Sequence, residues 1–324
     1  QDKALADAEF AIKLEPNNPG FLRQKAFLLH EQGKSDDAII IFKQILGNPK
    51  VPEVALLLAG IFHEREDDTS AIPILEESIK NTKKPDDLLS EEKRLLIHAY
   101  MRKEQFDSAR KLTNELRAAN PGSVTDLVIA ARVEKRANDL NAHNQLLNDA
   151  RTYVADDTPL RGLFELADEL YASKRYADAW PLYERLIDPR SGSPLVSKLI
   201  YSYYEAELYE KALEAARSVP EKEKSRFIYD IEVSILDSMG DLKNAIVTSE
   251  KYLTAHPEDL AFKVKWATYL LRDDQLEKLD AFLKGSIDLS QLPDDLKFNA
   301  TRQLAWLYTQ RNMSLRALEI AYVL

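Results

Sequence analysis

Residues 19–50 read PGFLRQKAFLLHEQGKSDDAIIIFKQILGNPK. Leu22, Ala26 and Leu29 recur at i, i+4 and i+7, which places them on one face of a helix. Gly33 breaks that helix, and Ser35 is placed to cap the next. Ala38, Phe42 and Ile45 form a second apolar stripe, and Pro49 stops it. The segment therefore reads as two short amphipathic helices joined by a tight turn.

The same unit recurs along the chain. Alanines that open a second helix fall at Ala4, Ala38, Ala71, Ala109, Ala142, Ala179, Ala212 and Ala245, then Leu279 replaces the small residue, then Ala317 follows. Their spacings are 34, 33, 38, 33, 37, 33, 33, 34 and 38 residues. Dividing 324 residues by a 34-residue period gives about nine to ten units. A small side chain at a fixed place has a physical reason. Two helices of a hairpin approach to about 8–10 Å, and where they cross closest only a small residue fits.

This pattern resembles the tetratricopeptide repeat (TPR), a 34-residue helix–turn–helix unit. Leu58, Ala59 and Phe62 keep the bulky–small–aromatic order of its first helix, as do Leu304, Ala305 and Tyr308, and Trp266, Ala267 and Leu270 keep it with Leu in the last place. Phe106, Tyr176 and Tyr209 stand three residues before the alanine of the second helix, and Pro16, Pro121 and Pro257 match its closing proline. Some positions depart from the pattern: Ile97, Ile200 and Val233 replace the small residue, and the inter-helix glycine survives only at Gly33 and Gly240. The resemblance implies an all-α, right-handed α-solenoid, a single superhelix over residues 1–324. Longer inter-repeat segments are expected near 83–90, 156–160 and 285–295. The first unit has only its second helix, residues 2–14, and the last stops inside its second helix, so the array is expected to be truncated at both ends.

Composition narrows the function. The chain has no Cys, which removes thiolate catalysis, disulfides and most structural zinc sites. Its net charge is −10, from 44 basic and 54 acidic residues, a balance unsuited to nucleic-acid binding. The longest apolar run is Val54–Phe62, against the ~20 residues of a membrane-spanning helix, so no membrane insertion is expected. No phosphate-cradling glycine loop occurs. His63-Glu64 does not open an H-E-x-x-H motif, because position 67 is Asp. Six Asp-Asp pairs, at 36–37, 67–68, 86–87, 156–157, 273–274 and 294–295, fall at turns and read as helix caps. No catalytic, cofactor or metal site is expected, and the chain reads as a non-enzyme.

In the TPR family the first helices line a concave groove whose residues are free of the packing pattern. Three groove stripes, Arg23, Phe27 and His30, then Leu56, Gly60 and His63, then Arg94, His98 and Met101, are mildly basic. Further on, the stripes become aromatic and acidic: Phe164, Asp168 and Tyr171; Ser197, Tyr201 and Tyr204; Asp230, Ser234 and Asp237. Seven of 14 Tyr lie between 171 and 209. Tyr176 and Tyr209 fill the family's aromatic place and Tyr183 and Tyr203 pack between helices. Tyr171, Tyr201 and Tyr204 either cover neighbouring helices or touch a ligand, and the sequence leaves both open. The expected partner-binding groove is therefore Phe164, Asp168, Tyr171, Tyr201, Tyr204, Asp230 and Asp237. No Asn accompanies the basic residues of adjacent first helices, so the carboxylate clamp of chaperone-binding members is not expected.

The leading expectation is a non-catalytic scaffold that docks another protein in its groove. One alternative is a periplasmic TPR segment of a bacterial exopolysaccharide-export protein, recruiting a polymer-modifying enzyme or escorting a cationic polysaccharide. The acidic, aromatic groove and the Cys-free composition suit it. A second is a regulatory array fused to an enzyme. Localisation is left open, with the bacterial periplasm preferred to the cytoplasm.

Overall fold

The computed structural model describes residues 2–80, 84–191, 193–275 and 308–322, with isolated positions between 278 and 306. Among the described residues there are helices and turns and no strand. The chain divides into two compact units, Gln1–Leu166 and Ala167–Leu324.

A lone helix α1 (Asp2–Leu14) comes first. Helical hairpins follow: α2 (Pro19–Glu31) with α3 (Ser35–Ile45), α4 (Val54–Glu64) with α5 (Asp68–Ile79), α6 (Asp86–Arg102) with α7 (Phe106–Ala119), and α8 (Val124–Arg136) with α9 (Leu140–Thr152). Helix α10 (Leu160–Ala172) runs through the boundary between the units. The second unit continues with α11 (Tyr176–Leu186), α12 (Val196–Glu205), α13 (Tyr209–Ser218), α14 (Arg226–Ser238), α15 (Leu242–Ala255) and α16 (Leu260–Arg272), and a final helix spans Ser314–Ala321. The sequence expected extra residues near 83–90, and α6 accounts for part of them by starting early and running 17 residues. The turn around 156–160 is short, with Thr158 Oγ1 accepting from the Ala155 amide at 2.7 Å. The expected segment at 285–295 and the Leu304 match lie outside the described residues, as does residue 83.

The small residues do what their spacing implies. Ala38, Ala71, Ala109, Ala179, Ala212 and Ala245 are all fully buried where the two helices of a hairpin cross. One unit departs from the expected register. Ala142 is only half-buried, and its neighbour His143 takes the crossing position at 2% exposure. The ring fits because the facing residue is Ala131, whose carbonyl lies 2.9 Å from His143 Nδ1. Buried apolar residues include one cluster around Phe42, Leu58 and Leu75 in the first unit and another around Tyr252, Phe262 and Tyr308 in the second.

Among the described residues, every hairpin turn uses one residue in the left-handed region, five positions before the crossing residue. These are Gly33, Glu66, Glu104, Asn138, Lys174, Glu207, Gly240, Asp274 and Asn312, with φ between 56° and 79°. The turn is thus retained where the glycine is lost, at a cost of about 1–2 kcal/mol for each residue bearing a Cβ.

Capping differs from the sequence expectation in two respects. Ser35 is the first residue of α3 and does not cap it; its Oγ lies 2.9 Å from His30 Nδ1. Of the Asp-Asp pairs, Asp67 caps, accepting from the Ser70 amide at 3.1 Å. Asp36–Asp37 and Asp86–Asp87 lie in first turns, where a carboxylate complements the helix dipole. Asp68 is buried and pairs with Arg102, while Asp156–Asp157 and Asp273–Asp274 lie in turns. Asp295 lies outside the described residues. Single residues cap instead, among them Asp139, Asp241 and Asp259.

Candidate functional site

Aromatic residues of the second unit form a continuous run across its first helices. Tyr171, near the end of α10, meets Tyr176 at 5.3 Å, Tyr201 at 6.0 Å and Tyr183 at 6.3 Å between ring centroids. Tyr201, on α12, also meets Tyr176 at 5.4 Å and Tyr204 at 6.3 Å. Tyr204 continues to Tyr209 at 5.9 Å, and its hydroxyl lies 3.4 Å from Ser238 Oγ on α14. Most of these pairs are edge-on or tilted, the arrangements that the aromatic quadrupole favours. Tyr171, Tyr201 and Tyr204 each stay only half-buried. They therefore cover neighbouring rings and keep part of their surface in water. Burial raises the pKa of Tyr171, and a hydrogen bond to Glu205, followed by burial, raises that of Tyr201. Both hydroxyls remain protonated and able to donate near neutral pH.

The run has one member that the sequence reading missed. Phe227, at the start of α14, is 42% exposed and its ring lies 6.2 Å from that of Tyr201. It stands three residues before Asp230, on the same face of α14 as the Asp230–Ser234 stripe. The i, i+3 spacing from Phe227 to Asp230 is legible in the sequence, one turn before the expected stripe. Phe164 is 38% exposed and belongs to the first unit, while the other expected groove residues belong to the second.

The three aspartates are present on the first helices but are already paired. Asp168 forms an ion pair with Lys198 of α12 and accepts from the Tyr183 hydroxyl at 3.3 Å. Lys198 Nζ also lies 5.6 Å from the centroid of Tyr171. Asp230 pairs with Lys265 of α16 at 2.8 Å, and the same ammonium donates to Ser234 Oγ at 2.8 Å. Asp237 pairs with Arg272 at 2.6 Å. In each case the cation comes from the next first helix, 30 or 35 residues on. The expected acidic wall is in fact a set of inter-repeat ion pairs, and its field toward an incoming cation is correspondingly reduced.

Among the described residues no group of three or more His, Asp or Glu side chains is arranged to hold a metal ion. None of the described helices is long and apolar enough to cross a membrane.

No protein-family model and no curated protein matches the chain. Solved structures do. Yeast Tom70 aligns at a TM-score of 0.50 and 15% identity, covering 77% of this chain and 54% of that one. A tetratricopeptide repeat protein from Parabacteroides merdae aligns over 76% of this chain and 96% of its own, at TM-score 0.42 and 13% identity. Cut9 in the Cut9–Hcn1 structure of the APC/C aligns over 82% of this chain and 52% of its own, at TM-score 0.43 and 12% identity. This chain thus spans about half the length of two of the three. With its paired helices and recurrent turn, it has a TPR-like, all-α repeat fold.

Proposed function

We propose that the chain is a non-catalytic scaffold that docks a segment of another protein on the first-helix face of its second unit. One observation carries this: Phe227 lies exposed beside half-buried Tyr201, on a face where the repeat's packing requires no aromatic. An exposed ring that extends a run of partly covered rings offers a rigid apolar surface with hydroxyl tips at its edge. Aromatic residues of this kind dominate the energetics of many interfaces. Phe227, Tyr201, Tyr204 and Tyr171 are the contact residues in this reading. Asp168, Asp230 and Asp237 hold Lys198, Lys265 and Arg272 in place, Lys198 over the Tyr171 ring.

The alternative of a periplasmic export segment for a cationic polysaccharide asks for carboxylates free to meet amino groups. Each groove aspartate already faces a cation of the next repeat, which favours an apolar protein segment over a cationic polymer. The test is selection from a displayed random-peptide library on the purified chain. Enriched peptides should carry apolar or aromatic residues and lose binding on Phe227→Ala. Enrichment of Lys- and Arg-rich peptides that ignore Phe227→Ala would return the reading to an acidic groove.

A further inference from the structure

The mildly basic stripe of the first unit contains a second feature that the proposed site does not use. Phe27, Gly60 and His98 stand six residues before the left-handed turn residues Gly33, Glu66 and Glu104. They therefore occupy the same position in three successive first helices, α2, α4 and α6. Gly60 supplies no side chain between the other two. A cleft of about 330 Å³ opens there, lined by Phe27, Leu56, Gly60, Ile61, Leu95 and His98 among others. That volume is at the small end for ligand pockets and suits one side chain rather than a whole small ligand.

Gly60 has no backbone reason to be glycine. It lies inside α4 and does not adopt positive φ, and a Cβ built on it meets nothing within 4 Å. A glycine inside a helix costs about 1 kcal/mol relative to alanine. At this position the glycine keeps the cleft open.

The polar groups around the cleft differ in one respect. His30 is engaged on both nitrogens, by Ser35 at 2.9 Å and Glu64 at 3.3 Å. Arg94 and Arg161 both bond Glu91, at 2.6 Å and 3.0 Å. His63 bonds Arg102. His98 has a ring neighbour, His63 at 6.2 Å, but neither ring nitrogen is hydrogen-bonded to a described residue. Burial, and then Arg132, His63, Arg102 and Arg161, push its pKa down to about 4. At neutral pH it is an uncharged imidazole with one donor and one acceptor unspent. The cleft thus has a phenyl ring on one side, an apolar floor, and a neutral imidazole with free hydrogen-bonding capacity on the other.

We infer that the Gly60 cleft receives a tyrosine side chain of a protein partner, its ring on the apolar floor beside Phe27 and its hydroxyl hydrogen-bonded to His98. The inference rests on the first-helix face being a protein-docking face, and it names a side-chain specificity in the first unit. A phenolic ring fits the volume and the apolar floor, and its hydroxyl satisfies an imidazole that would otherwise lose its water on binding. A leucine or phenylalanine would leave His98 desolvated without a partner, which is the usual source of strong discrimination by a polar pocket.

The test uses the whole chain with N-acetyl-tyrosinamide and N-acetyl-phenylalaninamide as probes, followed by ligand-observed NMR and by the His98 imidazole resonances. The tyrosine probe should bind about 5-fold more tightly than the phenylalanine probe, the ratio conferred by one net hydrogen bond. His98→Leu should abolish that preference. Gly60→Trp should fill the cleft and weaken both probes by about 10-fold or more. Gly60→Ala and Val247→Ala serve as controls, the first folding at least as stably as the parent, the second, at an exposed position of α15 in the other unit, leaving probe binding unchanged. No probe binding to the parent, or binding that survives Gly60→Trp, overturns the inference. If peptides selected on the chain still depend on Phe227 in that event, the cleft assignment alone has failed. If neither probe nor peptide binds, the docking face has failed with it.

Discussion

Tyr201 and Phe227 touch each other, yet their truncation should have different signatures. Tyr201 meets four rings, those of Tyr171, Tyr176, Tyr204 and Phe227, at 6.0, 5.4, 6.3 and 6.2 Å. Each aromatic pair contributes about 0.5–1.5 kcal/mol beyond area burial, so their sum before relaxation is about 2–6 kcal/mol. Because Tyr201 is only half-buried, Tyr201→Ala should cost about 3 kcal/mol of stability. Phe227 meets one ring of that set and is 42% exposed, so Phe227→Ala should cost about 1 kcal/mol. If Phe227 is an anchor, the same change should cost about 2 kcal/mol in binding, near 30-fold in Kd. The assay pairs urea unfolding, followed by tyrosine and tryptophan fluorescence, with anisotropy titration of a labelled library-selected peptide. A chain of repeats need not unfold in one step, so midpoints are compared rather than extrapolated free energies. Phe227→Ala should separate affinity from stability, and Tyr201→Ala should lower both. Equal affinity in parent and Phe227→Ala, or an unfolding midpoint that falls as far for Phe227→Ala as for Tyr201→Ala, would refute the assignment and leave the rings as packing residues.

Three further outcomes are expected. At the left-handed turns, Glu104→Gly and Lys174→Gly should each raise stability by up to about 1 kcal/mol, the relieved strain being partly offset by unfolded-state entropy, whereas Gly33→Ala should lower it by about 1 kcal/mol; denaturation midpoints read the sign. Lys84→Met should destabilise the first unit by about 3–5 kcal/mol, because it leaves Glu92, fully buried and paired with Lys84 at 2.7 Å, without its counter-charge; adding Glu92→Leu should recover most of the loss in the same unfolding assay. Stability should also fall in mild acid: the unfolded imidazole of His98 takes a proton near pH 6.5 but the folded one only near 4, so its contribution is whole above pH 6.5 and declines toward pH 4, by at most about 3 kcal/mol, and His98→Phe should flatten that part of the profile.

The period and the hairpin were legible because both rest on short-range rules. An apolar i, i+4, i+7 stripe and a small residue at the crossing can each be read within one unit, and repetition averages out the degenerate units. What escaped was set by geometry or by cross-repeat contact. The turn needs one left-handed residue, a demand that costs about 1–2 kcal/mol and that Glu66, Glu104, Lys174 and Glu207 meet without glycine, so counting glycines under-reports the turn. Counting five residues on from each turn would have placed His143, not Ala142, at the crossing; a bulky ring there looked excluded only because Ala131 opposite it was not considered. Ser35 looked like a cap by type, but His30 one turn back competes for its hydroxyl.

The groove shows the same limit in its electrostatics. Asp168, Asp230 and Asp237 stand away from the turns, so capping could not explain them, and a partner's cation seemed the remaining reason. Lys198, Lys265 and Arg272 lie one repeat on in sequence and one helix over in space. A repeat protein brings residues about one period apart into contact, so each charge has to be checked against that offset before it is assigned to a partner. Two side chains on first helices keep capacity unspent: Phe227, exposed beyond what packing needs, and His98, whose ring nitrogens bond no described residue. Both sit on first helices, and both ask for an apolar or phenolic side chain rather than a cation. That shared preference is what supports the proposal of a protein segment over a charged polymer.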